Sequence, residues 1–303
     1  MQVGVCSRSF SNNSFLVKKL KRSFNKIKLN KNKKLSGKNL VQFLKNCDYA
    51  IIGLEKIDNL VLKKCKKLKI ISKFGVGLDN IDFKATKKYG VKVKYEKNLN
   101  SDSVSDLVLL AILFHLKRFE RNLDHVRKFD WKPVIGRNLN KTKIGIIGYG
   151  NVGKLIHKKL KAFGCPIFIN ETDKKKKLNS THFKSKNYIF KHSDIISLNT
   201  DLNKTSRYMI NKKSLSIMKK NCLIINTSRG GVINESDLQK HLKKNKNFRC
   251  FLDVMEDEQN LNTKLIRMKN TFITPHIGGS TIESIQIMGN SSIKNLERYG
   301  KKK

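Results

Sequence analysis

The chain has 303 residues, 39% of them apolar and 8% aromatic, which is enough for two domains with cores of their own and excludes a largely disordered protein. Its 65 Lys and Arg against 23 Asp and Glu give a formal net charge of +42, a balance that raises the question of a nucleic-acid partner. The lysines are scattered through nearly every segment beside many asparagines, with no aromatic-interleaved basic motif or zinc-finger spacing. A solvated basic surface is therefore expected and a nucleic-acid partner is not, although such a surface draws anionic substrates and cofactors.

Cys6, Cys47, Cys65, Cys165, Cys222 and Cys250 form no Cys-x-x-Cys pair and have no histidine at ligand spacing. That predicts buried thiols in a reducing compartment and no bound metal. The apolar run at Met1 to Cys6 is too short for a signal peptide and reads as a first strand. The longest apolar stretch, Leu107 to Phe114, falls far below the roughly 18 residues that span a bilayer. A cytoplasmic protein is expected.

Before residue 100, short apolar runs alternate with basic helical stretches: Val3 to Cys6, Ala50 to Gly53, Lys69 to Ser72 and Val91 to Val93. Strands separated by helices imply a parallel sheet. Ser101-Asp102-Ser103 supplies N-cap residues for a helix to about Phe119. Its apolar character around most of its circumference places it between domains or between subunits. From Ile144 a second series begins, with runs at Ile144 to Ile147, Ile167 to Ile169, Ile195 to Leu198, Leu223 to Ile225, Cys250 to Leu252 and Thr271 to Ile273. Six such runs fit a complete doubly wound nucleotide domain. A short helix after Thr281 should return to the first domain, and the Lys174 to Lys177 run reads as a surface loop.

Gly148-Tyr149-Gly150-Asn151-Val152-Gly153 follows the first of those six runs and opens a helical stretch from Lys154 to Phe163. In that setting Gly148 permits a tight turn, Gly150 lets the backbone approach a pyrophosphate, and Gly153 lets helix and strand pack closely. A dinucleotide is the expected ligand. Glu171 and Asp173 stand at the distance where an acid binds the ribose 2′-hydroxyl of NAD and repels the 2′-phosphate of NADP. The neighbouring lysine run could accept that phosphate, so NAD is favoured and NADP stays open.

Ligands of an open α/β sheet sit beyond the carboxyl ends of its strands. Three segments there stand out: Asn226 to Gly231 with Arg229, Asp253 to Glu258 with its acids, and Thr274 to Gly279 with His276. Singly, an arginine in a turn is a surface residue, an acid cluster is solvated and a lone histidine is structural. At successive strand ends they suit oxidation of a 2-hydroxy acid. A guanidinium holds the carboxylate and carbonyl, an imidazole exchanges the hydroxyl proton, and an acid holds the imidazole charged.

The ordered motifs Ala50 to Gly53, Ile71 to Asp82, the glycine fingerprint, Asn226 to Gly231, Leu252 to Val254 and Pro275 to Gly279 cover nearly the whole chain. They resemble the D-isomer-specific 2-hydroxyacid dehydrogenase family, in a form similar to phosphoglycerate dehydrogenase. The resemblance implies an α/β protein with two doubly wound parallel-sheet domains. A Rossmann NAD-binding domain (99–279) would be inserted in a flavodoxin-like substrate domain (1–98 plus 280–303). It further implies that Arg229 orients the substrate, that His276 is the acid/base, and that Glu258 pairs with His276 to raise its pKa. Lys73 and the backbone at Val76 and Gly77 would bind the substrate with Arg229. Tyr149, Gly150, Asn151 and Val152 would hold the pyrophosphate and Glu171 the adenosine ribose. Asn199, Thr200, Thr227, Asp253 and His276 would complete the cofactor site, Thr227 and Asp253 near the nicotinamide.

The reaction so implied is NAD-dependent interconversion of a D-2-hydroxy acid and its 2-oxo acid, with 3-phosphoglycerate or a related hydroxy acid as substrate. Several positions depart from the family pattern. Val104-Ser105-Asp106 stands near the usual Ala-Glu, Asn199-Thr200-Asp201 replaces His-x-Pro, and Gln259 replaces a proline. Gly53-Leu54-Glu55 lies where phosphoglycerate enzymes carry a phosphate-holding Arg-Ser, and Glu55 would repel a phosphate. Lys73 and Ser7-Arg8-Ser9 keep an anionic substrate in play. No regulatory extension is expected, since the chain ends soon after its last helix. A homodimer built around the nucleotide domain is expected from the Ser101 to Phe119 helix and the resemblance. The competing readings are a catalytically silent dinucleotide-binding redox sensor with an anionic partner, and a sister activity on a sugar-derived 2-oxo acid.

Overall fold

Runs of β-branched residues bounded by turn residues become buried parallel strands, and the chain builds two sheets of them. The computed structural model describes residues 1–173, 182–258, 260 and 264–300. It divides into one unit of Met1–Asn100 with Gly279–Lys303 and a second of Ser101–Gly278.

In the first unit β1 (Gln2–Val5), β2 (Lys26–Leu29), β3 (Tyr49–Ile52), β4 (Ile70–Lys73) and β5 (Lys92–Lys94) form one sheet. Their order is β2-β1-β3-β4-β5, every pair parallel. This order switches direction between β1 and β3, and the loops after those strands form the crevice where such sheets take ligands. β3 and β4 are buried throughout. β2 reads Lys-Ile-Lys-Leu and is only half-buried at the edge, which is why its alternating lysines passed as part of a basic helical stretch. The helix Ile282–Gly300 spans 19 residues, longer than the short segment expected. It locks onto β4 through Ser72 Oγ donating to the Ser292 carbonyl (3.0 Å) and Ser292 Oγ donating to the Lys73 carbonyl (2.9 Å).

The second unit carries β6 (Ile144–Ile147), β7 (Ile167–Asn170), β8 (Ile195–Leu198), β9 (Leu223–Asn226), β10 (Arg249–Leu252) and β11 (Thr271–Ile273). Their order is β11-β10-β9-β8-β6-β7, again with parallel pairing. All six strands coincide with the apolar runs of the sequence. Among the described residues, isolated parallel bridges join Ile169 of β7 to Phe183 and Ile210 to Ile233. Apolar side chains fill both faces. One core gathers Ile147, Leu198, Ile224 and Leu252, and the other gathers Ile146, Ile195, Leu223 and Ile225 with the helix residues Val108 and Ile112.

The apolar helix runs from Ser101 to Leu116 and not to Phe119. Arg118 takes a left-handed conformation (φ 50°) and starts a separate helix, Phe119–Arg127. One face of the first helix packs within its own unit, while Leu110 on the other face is 57% exposed. All six cysteines are buried and free of disulfides, and burial pushes the Cys65 thiol up to about 11. Among the described residues no helix is long and apolar enough to cross a membrane.

Candidate active site

The glycine turn after β6 has its shape imposed by sterics. Gly148 sits at φ +92°, where a side chain would strain the backbone, and a Cβ there would lie 2.4 Å from the Asn199 carbonyl oxygen. A Cβ on Gly153 would lie 2.2 Å from the Gly148 oxygen, so the helix Asn151–Lys161 approaches the turn as closely as its backbone permits. Gly150 caps that helix, and among the described residues a Cβ there meets nothing within 4 Å. The open space lies at a helix N-terminus with Asn151 and Val152 in its first turn, a place suited to a phosphate.

Glu171, 9% exposed, braces the turn from behind. Its Oε2 accepts from the Tyr149 N–H (2.8 Å), and its Oε1 accepts from the N–H groups of Thr172 (2.7 Å) and Asp173 (2.9 Å). Thr172 Oγ1 also donates to Oε1 (3.4 Å), so the carboxylate is held by the turn and by the residues that follow it. Tyr149 Oη lies 2.6 Å from His157 Nδ1. Asn199 turns its side chain back to Ser197, its Nδ2 donating to that residue's carbonyl (3.1 Å) and its Oδ1 accepting from the hydroxyl (3.2 Å). Thr200 Oγ1 and Thr227 Oγ1 are buried without a partner among the described residues. Orphaned hydroxyls after β8 and β9, the first of them packed against Gly148, fit a dinucleotide, whose ribose and amide groups would satisfy them.

Arg229 is presented by an asparagine-braced turn. Asn226, fully buried at the end of β9, accepts from the Ser228 N–H (3.1 Å) and Oγ (2.8 Å) and donates to the Arg229 carbonyl (2.9 Å). A Cβ on Gly230 would lie 2.0 Å from the Met255 carbonyl carbon, so this turn packs against the loop leading from β10 toward Glu258. Arg229 Nη1 donates to the Ser228 carbonyl at 2.6 Å.

After β11, His276 Nδ1 lies 3.0 and 2.9 Å from the two carboxylate oxygens of Glu258. Both side chains are about one-third exposed. A carboxylate only accepts, so the proton on this imidazole sits at Nδ1 and Nε2 is left to act on a substrate.

The acid cluster that reads as one feature in sequence separates into three roles. Asp253 is buried and accepts from Thr274, Ile277 and Gly278. Glu256 accepts the Tyr208 hydroxyl and donates its N–H to Glu235 (2.5 Å). Glu258 holds His276. Tyr208 and Glu235 were not anticipated, because neither lies in a motif or at a strand end. Burial raises the Glu235 carboxyl.

In the first unit the loop after β4 turns at Gly75, φ +123°. Among the described residues the N–H groups of Val76 and Gly77 have no acceptor, and adjacent free amides in such a turn form an anion cradle. Lys73 is buried, its Nζ donating to the Gly53 carbonyl and to Asn80 Oδ1 (2.8 Å). Its ammonium is thus directed into the loop scaffold. Glu55 Oε2 accepts the Gly53 N–H at 2.6 Å. Burial raises the Glu55 carboxyl, against the opposing pull of the Gly53 N–H, Lys73 and Arg8. The Lys174 to Lys177 run and Gln259 lie outside the described residues.

A doubly wound sheet with a glycine turn, and an arginine, an acid and a histidine at its successive strand ends, defines a dinucleotide-dependent dehydrogenase. Comparison with known proteins makes this specific. The family model "D-isomer specific 2-hydroxyacid dehydrogenase, NAD binding domain" matches residues 109–278. A glyoxylate reductase of Thermococcus litoralis is 33% identical over 259 residues, covering 82% of this chain and 78% of the relative. A hydroxypyruvate reductase of Thermotoga maritima is 32% identical over 264 residues, covering 85% and 86%. The crystal structure of a D-lactate dehydrogenase from Aquifex aeolicus, complexed with NAD and lactic acid, superposes with a TM-score of 0.86 at 25% identity, covering 99% of this chain and 96% of that one. The chain belongs to the D-isomer-specific 2-hydroxyacid dehydrogenase family. It is an NAD-dependent oxidoreductase acting on the CH–OH group of a 2-hydroxy acid.

Proposed function

We propose that the protein reduces a small, unphosphorylated 2-oxo acid to its D-2-hydroxy acid, with His276 as acid/base. The observation that carries this is the Glu258–His276 pair, which fixes Nδ1–H and leaves Nε2 to the substrate oxygen. Bound NAD supplies a two-electron carrier that takes or gives a hydride at the substrate C2. His276 Nε2 gives a proton to the carbonyl oxygen in reduction and takes it from the hydroxyl in oxidation. The guanidinium of Arg229 holds the substrate carboxylate and polarises the carbonyl, a task for a planar fork of donors.

In this reading the first unit is the substrate domain, with the Val76 and Gly77 amides receiving the carboxylate and Lys73 holding their loop through Gly53 and Asn80. The second unit is the NAD-binding domain. Tyr149, Gly150, Asn151 and Val152 hold the pyrophosphate, Glu171 the adenosine ribose, and Asn199, Thr200 and Thr227 the remainder. Glu55 at the unit's crevice argues against a substrate phosphate by like charge. Three exposed apolar side chains, Phe129 (99%), Trp131 (86%) and Ile135 (90%), follow the Phe119–Arg127 helix. These exposed side chains lie within seven residues of one another in sequence, and a second copy of the chain is their proposed cover. The cytoplasm is the proposed location, and no nucleic acid enters the proposal.

The test is NADH oxidation by the purified protein against glyoxylate, hydroxypyruvate, pyruvate, 2-oxoglutarate and phosphohydroxypyruvate, with size measured by light scattering. Turnover on unphosphorylated acids by a dimer is expected. Preference for phosphohydroxypyruvate overturns the substrate class. NADH binding without turnover on any 2-oxo acid overturns the function in favour of a redox sensor.

A further inference from the structure

His276 has a left-handed backbone, φ 55°, which costs a non-glycine residue energy and persists only where the surroundings over-determine it. The surroundings here are concentrated in one side chain. Asp253, 2% exposed at the end of β10, directs its carboxylate at the whole turn that carries the histidine. Oδ1 accepts from Thr274 Oγ1 (2.6 Å) and from the Ile277 N–H (2.7 Å), and Oδ2 accepts from the Gly278 N–H (2.8 Å). The three donors come from both sides of His276 in sequence. Ser103, on the apolar helix, closes the far end by donating to the Gly278 carbonyl (2.6 Å). Asp253 is in turn seated by its own N–H on the Asn226 carbonyl (2.9 Å), the residue that braces the Arg229 turn.

We infer that Asp253 is a positioning residue for catalysis: its carboxylate, with Ser103 and Thr274, clamps residues 274–278 so that the left-handed His276 presents Nε2 to the substrate. This rests on the reading of His276 as acid/base. It goes beyond the cofactor contact implied by resemblance, because the three donors to the Asp253 carboxylate all belong to the histidine turn. The arrangement calls for an acceptor at each carboxylate oxygen, since donors approach both. The Asn amide would set an NH2 group against either the Gly278 N–H or the Thr274 and Ile277 donors.

The experiment compares Asp253→Asn, Thr274→Val, Ser103→Ala and His276→Ala in the full-length protein. It measures kcat, KM, the NADH dissociation constant by fluorescence, the pH profile of kcat/KM, and the His276 imidazole signals by NMR. Asp253→Asn should lower kcat at least about tenfold, because a displacement near 1 Å is felt strongly at a reacting atom. NADH affinity should change less than about threefold, with the imidazole signals shifted and the pH profile altered. Thr274→Val and Ser103→Ala should reproduce the pattern in smaller measure, and they carry the test if Asp253→Asn fails to fold. If His276→Ala turns over like wild type, the acid–base reading itself falls. Should His276→Ala be inactive while the other three keep wild-type kcat and imidazole signals, the clamp alone is refuted. A loss of NADH affinity equal to the loss of kcat/KM in Asp253→Asn would also refute it, by making Asp253 a cofactor contact first.

Discussion

Replacing Gly153 and Gly150 separately by alanine divides the structural from the ligand-binding work of one turn. The Cβ of Gly153→Ala would lie 2.2 Å from the Gly148 carbonyl oxygen and 3.2 Å from its carbon, where real Cβ contacts begin near 3.0 Å. Turn and helix must therefore separate by at least about 0.8 Å. Overpacking of this kind costs about 1–3 kcal/mol, and the same movement drags the Gly150 N–H away from the place proposed for a phosphate. Gly150→Ala is the opposite case. Its φ of −73° suits alanine and its Cβ meets no atom of the described residues within 4 Å, so stability should hold within about 0.5 kcal/mol while the methyl fills the space proposed for the ligand. Denaturant unfolding and NADH titration of both variants give the assay. Gly153→Ala should lose stability and at least about tenfold in NADH affinity, an affinity change of about 1.4 kcal/mol. Gly150→Ala should lose affinity alone. NADH binding by Gly150→Ala at the wild-type level would refute the placement of the pyrophosphate, and full stability in Gly153→Ala would refute the steric argument.

Arg229→Lys should lower kcat/KM by roughly ten- to a hundredfold, the worth of a charge-assisted bond at about 1.5–3 kcal/mol; steady-state kinetics with the best 2-oxo acid reads it. Glu120→Ala should destabilise the protein by about 3 kcal/mol or more in denaturant unfolding, because it strands the Arg249 guanidinium, 3% exposed, without its ion partner. The double variant Glu120→Ala with Arg249→Leu should recover most of that loss. Burial, reinforced by the fields of Arg118, Arg249 and Arg137, drops the His115 imidazole from 6.5 to about 3. The folded state keeps it neutral while the unfolded chain protonates it below 6.5, so stability falls as pH falls through that window. Two-state linkage gives a loss of about 2 kcal/mol between about pH 7.5 and pH 5. His115→Leu should flatten that slope, and an unchanged slope would remove His115 as its source.

The strands of the nucleotide-type unit were legible because four of them, β6, β8, β9 and β10, are buried on both faces and carry near-continuous apolar runs, broken only by Ser197 and by Asn226 and Arg249 at strand ends. β2 was not, since an edge strand tolerates lysine at alternate positions and carries no continuous apolar run. The end of the apolar helix was misread by a few residues because the stop is a left-handed arginine, Arg118, with no glycine or proline to signal it. At the site, residues immediately after strands could be named from order alone, and the contact between Glu258 and His276 follows that reading. Sequence could not assign Asp253 its place, since the direction of a buried carboxylate depends on which donors the β11 turn aims at it. Nor could it expose the scaffold duty of Lys73, whose partners Gly53 and Asn80 come from separate loops.

The most direct test of the central claim is the single-turnover rate of NADH oxidation by wild type and His276→Ala, with NADH binding measured in parallel. His276→Ala should bind NADH with near-wild-type affinity and lose roughly 10²-fold or more of the rate, the contribution expected of a general acid. Wild-type rates in His276→Ala would contradict the claim and leave the Glu258–His276 pair without a catalytic role.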